Sequence, residues 1–211
     1  SDLHLEIIEK SQKFSELIIV IGHEKNKIQE LCGDKYKSLK ISYVTNEEYS
    51  STGSGYSLAL ALQKIDQESL VFMDADILYT EKLFFDFINR TVDSISVKKQ
   101  DSFDEEMVKP TVKEGTNYLD SLNKTIDISH SGIIGESTGI ILVKSQELLQ
   151  KIKAFCNQKK SQGIKKYEWE EILVDITPHH NIEVVMTEEK WAELDFPEDI
   201  VRAQELFSEQ I

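Results

Sequence analysis

The stretch Leu70-Val71-Phe72-Met73-Asp74-Ala75-Asp76-Ile77-Leu78-Tyr79 combines an apolar run with two aspartates at its end. A short apolar run bounded by polar residues is typical of a strand covered on both faces of a sheet. In open α/β sheets, ligands collect outside the carboxyl ends of such strands. The stretch therefore predicts a buried strand over 70–79 that presents Asp74 and Asp76 at a functional edge.

Two carboxylates at such an edge point to a metal-bound nucleotide. Carboxylate oxygens are hard ligands, and Mg²⁺ is usually held by one or two of them together with substrate phosphates. We therefore expect Asp76 to hold Mg²⁺ and Asp74 to lie in the nucleotide site. The alternative is that both aspartates only form a turn or cap the next helix, because the motif is short.

Composition narrows the possible functions. The chain has 211 residues, 40% of them hydrophobic and 29% charged, with a net charge of -14. This describes a globular protein, which we expect to form a single domain over 1–211, without membrane insertion and with no affinity for nucleic acid. Cys32 and Cys156 lack metal-ligand spacing, which predicts a reducing, cytoplasmic setting.

Strands alternate with helices along most of the chain, which predicts an α/β protein. We expect a mainly parallel twisted sheet flanked by helices, Rossmann-like, with a small antiparallel excursion around 100–140. Predicted strands lie in 17–21, 41–44, 70–79, 91–97, 140–143, 182–186 and 191–195. Predicted helices lie near the start, in 24–32, in 81–90, after a Ser145 cap, around 169–174 and from Pro197.

A loop of small residues leads into a helix between Tyr49 and Leu62. Its glycines would let the backbone approach a ligand, and the first turn of a helix offers N–H groups to anions. The loop residues predicted to bind nucleotide are Thr52, Gly53, Ser54 and Ser57. The alternative is a tight turn in which Thr52 or Ser54 is the N-cap.

In order along the chain, several segments match one family: Tyr49–Leu62 with Tyr56-Ser57-Leu58, the strand ending in Asp76, Glu105–Lys109, Lys124, Gly135–Ile140 and Trp191–Asp195. The chain resembles nucleotidyltransferases of the glycosyltransferase-A-like fold. Within them it is most similar to cytidylyltransferases that activate phosphocholine and related phospho- or phosphono-compounds. The resemblance extends over nearly the whole chain.

This resemblance implies a reaction and a metal site. An acceptor phosphate or phosphonate would attack the α-phosphate of a nucleoside triphosphate, with CTP favoured, and release pyrophosphate. Asp76 and Asp195 would jointly hold the Mg²⁺, which neutralises the charge and aligns the reactants. Lys109 and Lys124 match lysines of the family, and Lys109 is expected to act in catalysis. The alternative is that the lysines are surface residues.

The acceptor pocket is expected to be aromatic and acidic. Its predicted members are Glu136, Tyr167, Trp169, Glu170, Trp191 and Glu193. Such a pocket suits the ammonium group of phosphocholine, phosphoethanolamine or 2-aminoethylphosphonate through cation–π contacts. The alternative is that the aromatic side chains belong to the core.

Two departures from the family leave questions open. The family begins with a strand and a Gly-rich loop that cradles the triphosphate, and nothing here matches it. We therefore expect that residue 1 is not the natural start and that roughly 25 residues precede it in the family layout. The second departure is Gly53-Ser54-Gly55, where CTP-preferring relatives often have asparagines, so base preference stays open.

Three other functions remain compatible with the sequence. They are a sugar 1-phosphate nucleotidyltransferase, a glycosyltransferase that uses a nucleotide sugar, and a non-catalytic nucleotide-binding relative. A homo-oligomer is compatible with each of them.

Overall fold

A computed structural model describes residues 2–66, 69–130 and 132–207. These residues form two compact units. Unit 1 contains the described residues up to 66 together with 152–172, and unit 2 contains those from 69 to 151 together with 173–207. The single-domain expectation for the whole protein stays a prediction.

In chain order the elements are α1 (Asp2–Lys10), β1 (Glu16–Ile21), α2 (Lys25–Cys32), β2 (Lys35–Tyr36), β3 (Leu39–Thr45), α3 (Ser54–Leu62), β4 (Leu70–Met73), β5 (Ile77–Tyr79), α4 (Glu81–Ile88), β6 (Ser94–Lys98), β7 (Lys109–Val112), β8 (Leu119–Asn123), β9 (Glu136–Val143), α5 (Gln146–Ser161), α6 (Trp169–Ile176), β10 (Glu183–Thr187), β11 (Trp191–Glu193) and α7 (Pro197–Leu206). Short 3₁₀ turns lie at Tyr49–Ser51 and Thr177–His179.

Unit 1 is built on a three-stranded sheet in the order β1-β3-β2. β1 and β3 run parallel, and β2 is antiparallel to β3. Helix α3 packs against β1. Helix α2 ends before Gly33, whose φ of 66° lies in the left-handed region that favours glycine.

Unit 2 is built on a four-stranded sheet in the order β10-β6-β9-β4. β10 and β6 run parallel, whereas β9 is antiparallel to both of its neighbours. All eight residues of β9 are buried, so this strand forms the centre of the unit's core. Ser145 Oγ accepts a hydrogen bond from the Leu148 amide at 3.0 Å, which confirms the predicted cap of α5.

The predicted α/β class is confirmed, with mixed sheets that contain parallel pairs. The predicted antiparallel excursion is present as the β7–β8 pair. The single strand expected over 70–79 is instead divided at 74–76. The chain changes partners there, because β4 pairs with β9 while β5 pairs with β11.

Candidate functional site

Three carboxylates meet where β5 and β11 pair in unit 2. The pairing sets Glu193 opposite Ile77, and the Leu194 amide donates to the carbonyl of Asp76 at 2.7 Å. One carboxylate oxygen from each of Asp76, Glu193 and Asp195 lies within 4.8 Å of the other two. We call these three residues the acidic triad.

Glu193 is the most perturbed member of the triad. Burial raises its pKa to about 7, and the negative charges of Asp195 and Asp76 add to the effect. Asp76 is solvent-accessible, yet the surrounding protein removes part of its hydration and raises its pKa, and the charge of Asp195 acts in the same direction. The triad is therefore a centre of negative charge that a cation would relieve.

Lys124 is a cation whose charge reaches the triad. Its charge opposes the rise in pKa of both Asp76 and Glu193. The side chain is exposed just after β8, so it stays free to adjust toward a ligand.

The triad fits a Mg²⁺ ion in its donor chemistry. Mg²⁺ binds oxygen ligands at about 2.1 Å, so two ligands of one ion are at most about 4.2 Å apart. The three oxygens lie within 4.8 Å of one another, a little beyond this limit, so the side chains would have to move closer together to share one ion. Asp76, Glu193 and Asp195 would hold the ion, which would supply charge neutralisation to bound phosphates.

Asp74, the first aspartate of the Asp-Ala-Asp motif, has different surroundings from Asp76. The Asp74 amide donates to the carbonyl of Gly139 at 3.0 Å. Gly139 has a φ of +71°, and a β-carbon there would lie 2.4 Å from Asp74 Oδ2. Gly139 thus makes room for the Asp74 side chain, and the nucleotide-binding role of Asp74 stays a prediction.

Glu136 begins β9 and is only 8% exposed. Gln100 Nε2 donates to its Oε2 at 2.6 Å. Burial raises the pKa of Glu136, and its charge in turn raises that of Glu193. Glu136 therefore belongs to the electrostatic surroundings of the acidic triad.

Trp191 begins β11, the strand that carries Glu193, and its indole is buried. Its Nε1 donates to the carbonyl of Thr138 at 3.0 Å, which ties β11 to β9. The ring is 9% exposed, so its main contacts are with the core of unit 2. Its predicted contact with the acceptor stays a prediction.

Lys109 is fully buried rather than presented to ligands. Its Nζ donates to the carbonyls of Asp104 and Met107, both at 2.9 Å. These bonds hold the loop that precedes β7. A catalytic role for Lys109 stays a prediction, and it would require the ammonium to leave these carbonyls.

The predicted nucleotide loop lies in unit 1, where residues 165–168 pack over the start of α3. Amides of this loop donate to nearby oxygens, Gly53 to the Lys165 carbonyl at 3.1 Å and Gly55 to the Tyr167 carbonyl at 3.0 Å. Ser54 donates through its amide and its Oγ to Glu168 Oε2, at 2.8 and 2.7 Å.

The glycines of this loop are explained by packing. A β-carbon on Gly53 would lie 2.1 Å from the Tyr167 carbonyl oxygen, and one on Gly55 would lie 2.5 Å from the Tyr167 ring. The first-turn amides that were expected to meet a ligand are therefore bonded within the chain. Nucleotide binding by Gly53 and Ser54 stays a prediction.

Asn46 organises the other two predicted residues of this loop, and sequence reasoning missed it. The side chain is 3% exposed, and its Nδ2 donates to Thr52 Oγ1 at 2.9 Å and to Ser57 Oγ at 3.1 Å. Its Oδ1 accepts from the Glu48 amide at 3.1 Å. The available signal was a lone asparagine two residues after the predicted strand 41–44.

The remaining members of the predicted acceptor pocket lie in unit 1. Tyr167 is buried and meets Phe155 edge-on, with ring centroids 5.9 Å apart. Trp169 is buried at the start of α6, and its amide donates to Ser54 Oγ at 3.0 Å. Glu170 follows in the first turn and is half-buried.

Solved structures place this fold among the nucleotidyltransferases. The chain is similar to the CTP:phosphocholine cytidylyltransferase of Streptococcus pneumoniae, with a TM-score of 0.75, 16% identity, and coverage of 98% of this chain and 84% of that one. It is also similar to the inositol-1-phosphate CTP transferase of T. maritima, with a TM-score of 0.72, 15% identity, and coverage of 97% and 81%. A UDP-glucose pyrophosphorylase matches with a TM-score of 0.74 and 11% identity, and the match covers 99% of this chain and 86% of that one.

The chain thus shares the fold of these solved structures, as the sequence resemblance implied. The chain belongs to the family described as "Domain of unknown function (DUF6564)", whose model matches residues 1–206.

A curated relative adds a sequence match. The CMP-5'-(3-aminopropyl)phosphonate synthase of Streptomyces rubellomurinus is 33% identical over 64 residues. The match covers 30% of this chain and 10% of the length of that relative.

Among the described residues, none of the helices combines the length and apolar character needed to cross a bilayer.

Proposed function

We propose that this protein is a Mg²⁺-dependent nucleotidyltransferase that transfers a cytidylyl group to a small phosphorylated or phosphono acceptor and releases pyrophosphate. The observation that carries the proposal is the acidic triad, because three carboxylate oxygens within 4.8 Å of one another are a donor set that could hold a cation. The substrates named for its relatives favour CTP and a phospho- or phosphono-compound. Such a substrate set fits a cytoplasmic enzyme.

The triad would act on the phosphates. When bound, Mg²⁺ neutralises charge on the nucleotide and so permits approach of a second anion. Asp76 directly precedes β5 and Asp195 lies two residues after β11, so the pairing of these strands would bring both carboxylates to the ion. Glu193 would supply the third oxygen. The sequence analysis assigned this residue to acceptor binding instead. No general base is required, since the acceptor oxyanion is itself the nucleophile.

Lys124 would assist at the same place. Its charge already acts on Asp76 and Glu193, and its side chain is exposed. An ammonium there stabilises the charge of the departing or attacking phosphate as a point charge. Of the two lysines that match the family, Lys124 is therefore the better placed in this structure.

The test is pyrophosphate release from CTP and UTP with phosphocholine, phosphoethanolamine, 2-aminoethylphosphonate and sugar 1-phosphates. We expect Mg²⁺-dependent release that falls at least about a hundredfold in Asp76→Asn and Asp195→Asn. Asp120→Asn is the matched control, because Asp120 is an exposed aspartate of the same unit. Sugar transfer from nucleotide sugars without pyrophosphate release would contradict the proposal.

A further inference from the structure

Asn46 is a buried side chain whose amide has one orientation. It follows β3 directly and is 3% exposed. The Glu48 amide donates to Oδ1 of Asn46 at 3.1 Å, and a backbone N–H can only donate. This bond identifies the oxygen of the side-chain amide, so the other end is Nδ2, which is a donor.

That donor faces two hydroxyls of the loop and first turns of α3. Nδ2 of Asn46 donates to Thr52 Oγ1 at 2.9 Å and to Ser57 Oγ at 3.1 Å. The Thr52 hydroxyl in turn donates to the Glu48 carbonyl at 3.2 Å, so its hydrogen is already engaged within the chain.

The Ser57 hydroxyl still has a hydrogen to donate. Its oxygen accepts from Asn46, and within the part of the chain that the structure describes its hydrogen has no acceptor. The side chain is half-buried rather than enclosed. A ligand acceptor would satisfy this hydrogen, whereas a ligand donor would leave it without a partner at a cost in binding. Asn46 therefore presets Ser57 as a donor.

Asn46 lies at an edge of the sheet of unit 1 that suits a ligand. β1 and β3 run parallel, and the Asn46 amide donates to the carbonyl of Ile21, the last residue of β1, at 2.8 Å. The carboxyl ends of parallel strands are where ligands of α/β sheets collect.

We propose, resting on the proposed function, that Ser57 is a specificity-determining residue for the base of the nucleotide and that Asn46 is the positioning residue that orients its hydroxyl. The Ser57 hydroxyl donates to N3 of cytosine, which accepts a hydrogen bond. N3 of uracil carries a hydrogen, so the same site would set two donors against each other. CTP is thereby selected over UTP through a mismatch as well as a bond.

Asn46→Asp tests this orientation while the side chain keeps its shape. A carboxylate only accepts, so Ser57 would donate to it and offer the base an acceptor instead. By calorimetry in Mg²⁺, wild type should bind CTP about tenfold to a hundredfold more tightly than UTP. Asn46→Asp should shift this ratio at least about tenfold toward UTP. Ser57→Ala should bind the two nucleotides about equally, and it decides the inference if Asn46→Asp fails to fold.

The matched control is Asn26→Asp, which introduces the same charge at an exposed asparagine of unit 1 and should keep the wild-type ratio. Equal wild-type affinities for CTP and UTP, or a ratio that Asn46→Asp and Ser57→Ala leave unchanged, would overturn the inference.

Pyrophosphate release separates this inference from the proposed function. Turnover with equal kcat/KM for CTP and UTP overturns the inference and leaves nucleotidyl transfer in place. A binding ratio that shifts in Asn46→Asp, without turnover with any acceptor, supports the inference and refutes the proposed function. Binding of neither nucleotide refutes both.

Discussion

Replacing Glu193 by glutamine should change stability in a way that depends on pH. In the folded protein the pKa of Glu193 is about 7, compared with its ordinary value of 4.5. Between these values the unfolded chain has lost the proton while the folded chain keeps it. Stability therefore falls as pH rises through this window, and the loss is complete above pH 7. The Glu193→Gln variant has no titrating carboxylate at this position, so it does not lose this stability as the pH rises.

The magnitude follows from the distance between the two pKa values. A separation from 4.5 to about 7 corresponds to about 3 kcal/mol at most. Glu193 is partly exposed, so solvent screening reduces the expected gain to about 1–2 kcal/mol. At pH 8 the variant should be more stable than wild type by this amount, and at pH 5 the two should nearly coincide.

Urea unfolding followed by circular dichroism measures this difference, with Glu114→Gln as the control for loss of an exposed charge. Mg²⁺ at one hundred times its Kd should stabilise wild type by about 2.7 kcal/mol and the Glu193→Gln variant by less. The reasoning is refuted if the variant gains nothing at pH 8 relative to pH 5.

Two further changes test the packing that supports the site. Gly139→Ala should cost about 2 kcal/mol or more in urea unfolding, because φ is +71° and the β-carbon would displace Asp74, whereas Gly115→Ala, with φ +70° and open space around it, should cost about 1 kcal/mol. Equal costs would contradict the Asp74 contact. Trp191→Phe should cost about 1–3 kcal/mol, because it leaves the buried carbonyl of Thr138 without its indole donor; an unchanged midpoint would mean that this bond contributes nothing net.

Local patterns predicted much of the fold. The apolar run before Asp74, the glycine after α2 and the serine before α5 each carry a physical signal within a few residues. The break of the strand at 74–76 has no such local signal. It arises because β4 pairs with β9 whereas β5 pairs with β11. Pairing between segments more than 100 residues apart cannot be predicted from the sequence of either segment alone.

The same limit applies to the site. Asp76 and Asp195 were paired through a family resemblance, and the structure brings them together. The place of Glu193 among them follows from strand alternation, since residues two apart in an extended chain share a face. The burial of Lys109 and the cover of 165–168 over α3 depend on tertiary packing. No sequence pattern indicates that a lysine such as Lys109 will donate to backbone carbonyls.

Calorimetric titration of the protein with Mg²⁺ at pH 7, in buffers of different ionisation enthalpy, is the most direct test of the acidic triad as a metal site. One ion should bind per chain and release about half a proton, because Glu193, with a pKa of about 7, is half protonated at that pH. Asp76→Asn should abolish both binding and proton release. Unchanged Mg²⁺ binding in that variant, or binding without proton release in wild type, would contradict the account.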